Sequence, residues 1–309
     1  MTSMHAEEGY VDVEGGRVWR CVLGGGPGAP LLLLHGGPGA PSYYMSPLGA
    51  LADERRVIFY DQLGAGRSDR PDDASLWRVE RFVDELATVR DALGLDEIHL
   101  LGHSWGGMLA VEYMLTQPTG VRSLILASPC LSVRRWLQDA ETLRATLPAE
   151  MQAAIVRHEA AGAFDAPGYQ EAVTEYYKRY MCRRDPWPDE VQQGFADLNA
   201  PLYNAMWGPS EFTATGALRT FERVEELAAL RLPVLFTAGR FDEAAPATVE
   251  YYRSFVPNAQ IAILEHSAHL TMQDEPEENV RIVRDFLREI ESRWRRSCAT
   301  AQRFSLSQR

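Results

Sequence analysis

The 309-residue chain has no apolar run approaching the ~18 residues that a membrane-spanning helix requires, so no membrane partner is expected. Its start, Met1 to Glu8, has neither a basic stretch nor an apolar core, and no secretory signal is expected there. Cysteine is scarce: Cys21, Cys130, Cys182 and Cys298 are far apart and form no CxxC or Cys/His ligand pattern. In a chain this long, that spacing argues against a disulfide framework and points to free thiols in a reducing, cytoplasmic setting. Positive charge is also in deficit. With 31 basic against 43 acidic residues the net charge is -12, which argues against a nucleic-acid partner. The chain has no internal repeat and no low-complexity segment. What remains, 46% hydrophobic and 24% charged residues, is the composition of an ordinary globular protein.

One stretch stands out against this background. Ile98 to Leu101 read as a short buried strand, Met108 to Leu115 read as a helix, and Gly102-His103-Ser104-Trp105-Gly106 lies between them. A strand turning directly into a helix lifts its middle side chain above the sheet edge, and small flanking residues make so tight a turn possible. The Ser104 hydroxyl is thereby expected beside backbone N–H groups at a helix N-terminus, the geometry that attack on a carbonyl requires.

The rest of the chain supplies a frame for that turn. Tyr10–Val13 and Arg17–Leu23 flank Glu14-Gly15-Gly16, a hairpin signal. Leu31–Leu34 run apolar without alternation, as does the Arg56–Tyr60 stretch, which suits strands covered on both faces. Val79, Phe82, Val83, Leu86, Val89 and Leu93 recur at helical spacing, with Gly94 as a stop. Val121–Ser128, Pro233–Gly239 and Gln260–Leu264 read as further strands, and Glu277–Ile290 as a helix. Strands alternating with helices predict an α/β fold: a mostly parallel central sheet with helices on both faces. Between them, residues 130–230 show helical patterns and aromatic clusters but no buried strand. The expected division is a core domain from 1–129 and 231–292, an inserted helical cap at 130–230, and a polar tail from 293–309 that is expected to fray.

A serine hydroxyl needs a base to take its proton, and the base works best when a carboxylate orients it. In this topology the acid and then the histidine follow the nucleophile in chain order, each just after a strand. Asp242 meets the first requirement, with Glu243 beside it as a rival. Glu265-His266-Ser267-Ala268-His269 offers two histidines for the second; His269 is preferred, and His266 is read as a loop residue. The second oxyanion donor is expected from the loop after Leu31–Leu34, so Gly37 is paired with the N–H of Trp105, and Gly36 is read as a substrate contact. His35 and Asp61 are read as loop organisers, and His103 as pointing away from the hydroxyl. No metal or organic cofactor is expected, because side chains alone activate this nucleophile.

His35-Gly36-Gly37-Pro38-Gly39, Asp61-Gln62-x-Gly64-x-Gly66-x-Ser68 and Gly102-x-Ser104-Trp105-Gly106-Gly107 together resemble the proline iminopeptidase family of α/β-hydrolases, with the match running from about Val11 to Leu287. Tyr203 to Phe212, followed by Thr215-Gly216, is similar to the cap segment of the tricorn-interacting-factor type. The resemblance implies that Glu211 and Glu243 bind the free α-amino group of a small peptide or amino-acid amide. It also implies removal of one N-terminal residue, preferably proline. Trp105 and Trp207 are expected to pack that residue. An amino-acid amidase, a broad aminopeptidase, a carboxylesterase and a non-catalytic binder stay open as alternatives.

Overall fold

A computed structural model of the protein describes residues 5–307, with side-chain surroundings to residue 296. Strands β1 (Ala6–Val13) and β2 (Gly16–Leu23) form the expected hairpin, turning at Glu14-Gly15, where Gly15 has a φ of +93°. They are followed by β3 (Gly28–Leu34), β4 (Arg55–Tyr60), β5 (Ile98–His103), β6 (Val121–Ala127), β7 (Val234–Gly239) and β8 (Gln260–Leu264). The sheet order is β1-β2-β4-β3-β5-β6-β7-β8. β2 pairs antiparallel with both neighbours, and every pairing from β4 across to β8 is parallel.

Parallel neighbours need crossovers, and helices provide most of them. Helices α1 (Val79–Ala92) and α2 (Trp105–Leu115) flank β5. Helices α3 (Val133–Arg144), α4 (Ala149–Ala161), α5 (Pro167–Tyr180), α6 (Asp189–Ala196) and α7 (Ala200–Met206) all lie between β6 and β7. Helices α8 (Pro246–Ser254), α9 (Thr271–Asp274) and α10 (Pro276–Ser307) complete the chain. Leu31 to Leu34 are each fully buried because β3 is covered twice. Leu32 and Leu34 meet Leu86 and Val89 of α1 and Leu109 of α2 in one core cluster, whereas Leu31 and Leu33 share the other with Met45, Leu48 and Leu287. This is why the run shows no alternation.

The aromatic crowd between β6 and β7 has a plain use. Tyr169, Tyr176, Tyr180 and Phe212 form a separate small core with Ile155. Tyr203, Met206 and Trp207 instead join the core of the sheet, so the end of this segment is anchored to the body of the protein. The sequence pattern did not reveal the 3-10 run Ser42–Asp53, which encloses Pro47, or helix α8. The polar end that composition marks for fraying continues α10 as far as Ser307; the last two residues and the side chain of Cys298 lie outside the described residues. Cys21, Cys130 and Cys182 are free and buried. Among the described residues no helix is long and apolar enough to cross a membrane.

Candidate active site

Ser104 stands at the junction of β5 and α2 with φ 54° and ψ -119°, a strained conformation for a residue with a side chain. Crowding on both sides holds it there. A Cβ on Gly102 would lie 2.2 Å from the Gly106 carbonyl oxygen, and one on Gly106 would lie 2.2 Å from that of Leu34. The hydroxyl opens into a cavity of about 310 Å³ that Gly36, Gly37, Glu211 and His269 also line.

His269 reaches the same cavity from the loop after β8. Its Nδ1 lies 2.7 Å from Asp242 Oδ1, and Asp242 is only 1% exposed. That carboxylate is held from every side: Oδ1 also accepts from Ala244 N–H (2.8 Å), and Oδ2 accepts from Ser128 Oγ (2.6 Å) and Gly239 N–H (3.1 Å). Three donors already surround this acceptor, so the ring nitrogen facing it is the fourth: His269 Nδ1 carries the proton and Nε2 is free to accept one. The loop is fixed from outside the sheet as well. His269 N–H donates to the Tyr180 carbonyl and Leu270 N–H to that of Met181, both at the C-terminal end of α5. Asp274 closes the same junction, accepting from the N–H groups of Ala268, Arg183 and Arg184. His266 is exposed, its N–H donates to Glu275, and it lines no part of the cavity.

The loop after β3 is aimed by His35. Burial pushes that imidazole below its usual range. Its Nε2 accepts from Gln62 N–H (2.8 Å), so Nδ1 is the donor to the Gly36 carbonyl (2.8 Å). In a trans peptide the C=O and the next N–H point opposite ways. Pulling the Gly36 carbonyl toward His35 therefore turns the Gly37 N–H away from it. The Gly36 N–H is already committed to the Tyr44 hydroxyl (2.6 Å). Trp105, the first residue of α2, has an N–H with no intrahelical acceptor. Gln62 also fixes this corner, donating to the His35 carbonyl and accepting from Trp105 Nε1 (2.8 Å). Asp61 is likewise structural: it accepts from Ser42 and from Arg67, and the Arg67 guanidinium outweighs burial to hold its carboxyl below the usual range.

Two further carboxylates lie close by: Glu211 lines the cavity, whereas Glu243 is buried beside the base and does not. Glu211 accepts from the Tyr203 hydroxyl (2.5 Å), and burial raises its carboxyl above the usual range, an effect the Tyr203 bond and His269 partly offset. Glu243 is 1% exposed, and neither of its carboxylate oxygens has a hydrogen-bond partner. Oε1 lies 3.9 Å from His269 Nε2. Burial, then the charge of Glu211, then that of Asp242 push Glu243 well above the ordinary glutamate range. The tryptophans do not take the place expected of them. The ring of Trp207 is 4% exposed, packs edge-to-face on Trp136 and donates to the Ser210 carbonyl. Trp105 packs against Phe82 in the core. Neither lines the cavity, whose apolar wall comes from α5, α6 and α7, including Val173, Tyr177, Phe195 and Tyr203. Large aromatic rings serve cores and pockets alike, and the sequence pattern alone did not distinguish the two. Tyr44 and Ser128 carried no signal in the sequence, yet both bond directly to the parts of this centre.

The family model of the alpha/beta hydrolase fold matches residues 29–276. A proline iminopeptidase of Heyndrickxia coagulans is 47% identical over 285 residues, 92% of this chain and 99% of that relative. The chain belongs to the proline iminopeptidase family. A more distant member from Saccharolobus solfataricus is 32% identical over 294 residues, covering 94% of this chain and 95% of its own length. The crystal structure of the Mycobacterium smegmatis proline iminopeptidase superposes with a TM-score of 0.85 at 38% identity, covering 92% of this chain and 98% of that one. VinJ superposes with a TM-score of 0.89 at 35% identity, covering 92% and 99%. An esterase from Exiguobacterium antarcticum, at 18% identity and a TM-score of 0.65, shares the fold alone.

Proposed function

We propose that this chain is a serine hydrolase that removes one N-terminal residue, preferably proline, from short peptides or amino-acid amides through an acyl-enzyme. Ser104 attacks the carbonyl carbon; His269 Nε2 takes the hydroxyl proton and passes it to the leaving amine. Asp242 orients the ring and stabilises its charged form. The N–H groups of Gly37 and Trp105 hold the oxyanion, Gly36 contacts the substrate, and Glu211 with Glu243 bind the substrate's ammonium. Water then repeats the cycle on the acyl-enzyme. Residues 130–230 act as a cap, supplying Glu211 and the apolar wall against which the N-terminal residue packs.

The observation that carries this reading is Glu243: a buried carboxylate with both oxygens unpartnered, beside a second acid and within reach of the base. Such a group is costly unless a cation completes it. An N-terminal ammonium does so, and it ties the scissile carbonyl to a fixed distance from the anchor. The names of the relatives at 47% and 38% identity agree with this chemistry. The free, buried thiols support a reducing, cytoplasmic location. Hydrolysis of prolyl-, alanyl- and phenylalanyl-arylamides, each with free and acetylated N-termini, tests the reading against Ser104→Ala as blank. Turnover confined to free amines and led by proline is expected. Turnover led by phenylalanine would move the assignment to a broad aminopeptidase, and equal turnover of acetylated forms would remove the two-glutamate anchor.

A further inference from the structure

The carbonyl of the base, His269, sits between two donors. Ser128 Oγ lies 3.2 Å from it but only 2.6 Å from the Asp242 carboxylate. A hydroxyl has one proton, and the shorter contact to a charged acceptor takes it. The His269 carbonyl is then left to His103, whose Nε2 lies 3.1 Å away. A carbonyl only accepts, so His103 Nε2 carries a proton. Its Nδ1 lies 2.8 Å from the Tyr44 hydroxyl, which itself accepts the Gly36 N–H at 2.6 Å. Burial, then the neighbouring His269, push His103 well below the usual histidine range, so the ring is neutral and Nδ1 accepts the Tyr44 proton. Every donor and acceptor along the line then has one consistent direction: Tyr44 O–H to His103 Nδ1, and His103 Nε2–H to the His269 carbonyl.

From this we infer that Tyr44 and His103 form a fixed hydrogen-bond relay that couples the oxyanion loop to the backbone of the base, making His103 a positioning residue for the reaction. The relay sets two of the three parts of the site against each other across the strained serine. The His103 ring also lies against that of His269, tilted by 56° at a centroid separation of 4.6 Å, and as a neutral group it adds no charge when His269 takes up the serine proton. Tyr44 and His103 both line the cavity, but Glu211 and the apolar wall of α5, α6 and α7 come from other elements and stay in place when the relay is cut, so its loss falls on turnover more than on binding. The inference rests on the hydrolase reading of Ser104 and His269.

The test is steady-state kinetics on prolyl arylamide and on p-nitrophenyl acetate, alongside thermal melting. His103→Leu is expected to lower kcat by about 30-fold with KM within about twofold, since a small misplacement of reacting groups costs about 10- to 100-fold. His103→Gln, whose amide reaches the His269 carbonyl as Nε2 does, is expected to recover most of that loss, whereas His103→Asn is not. Tyr44→Phe is expected to lose kcat as well, and Tyr44→Phe combined with His103→Leu to lose no more than the worse single variant. The relay is overturned if the Leu and Gln variants have equal kcat, if the loss falls on KM, or if the two single losses multiply. Should His103→Leu not fold, the Gln, Asn and Tyr44→Phe variants decide by the same criteria. A wild-type protein that turns over neither substrate would instead sink the hydrolase reading, and the relay with it.

Discussion

Glu243 illustrates how a residue can oppose the fold that carries it. Its carboxyl titrates well above the ordinary glutamate range, so the folded chain keeps that proton to a higher pH than the unfolded chain does. The stability it contributes is therefore fully present below the ordinary glutamate range and is lost as pH rises above it. Glu243→Gln cannot ionise and escapes that loss. Its melting temperature is expected to match the wild type near pH 4 and to exceed it at pH 8, while KM for free-amine arylamides rises at least tenfold. A variant melting below the wild type at pH 8 would show that the carboxylate has a partner in the folded chain. His35 shows the reverse economy: its two nitrogens are both spoken for, by Gln62 and by Gly36, and burial that would be costly for a charged ring leaves a neutral one undisturbed.

Among the elements, the turn from β5 into α2 concentrates the strain. Ser104→Gly relieves a backbone that a side chain disfavours and is expected to stabilise the fold by about 1 kcal/mol while abolishing turnover, measured by thermal melting and arylamide hydrolysis. A fall in stability would locate the strain elsewhere. This turn was legible in the sequence because its two glycines, strand and helix are contiguous. Asp242 and His269 were legible because topology fixes where each follows a strand. Tyr44, His103 and Ser128 were not, since their partners lie 8 to 166 positions away and hydrogen bonds leave no periodicity. The tryptophans at 105 and 207 were misread for a related reason: the pattern that marks a ring as apolar does not say which side of a wall it occupies. The strands of the parallel sheet were the easiest to read, because covering both faces writes burial into consecutive residues.

Across the whole molecule, the C-terminal helix packs on the sheet through Val283, Phe286, Leu287 and Ile290, and one buried acid ties it to three strands at once. Glu291 Oε1 accepts from Arg55 Nη1 (2.7 Å) and from Ala29 N–H (3.0 Å) and lies 3.5 Å from His99 Nε2, joining β3, β4 and β5 to α10. Burial works against its charge, but His99 and Arg55 prevail and hold it down to about 2. A depressed carboxyl contributes stability above the ordinary glutamate range that is lost as pH falls through its folded value. Glu291→Gln is thus expected to cost on the order of 3 kcal/mol at neutral pH and to flatten the acid limb of a urea-melt series between pH 5 and 2. An unchanged acid limb would exonerate this residue. The junction between α5 and the His269 loop has a consequence for engineering. Because Tyr180 and Met181 accept from the backbone N–H groups of His269 and Leu270, the helical segment is not an interchangeable module seated on a self-sufficient body. A chimera that imports another relative's specificity must transplant α6 and α7 while leaving the final turn of α5 and its seam to Asp274 native, or it will graft a new pocket onto an unmoored histidine.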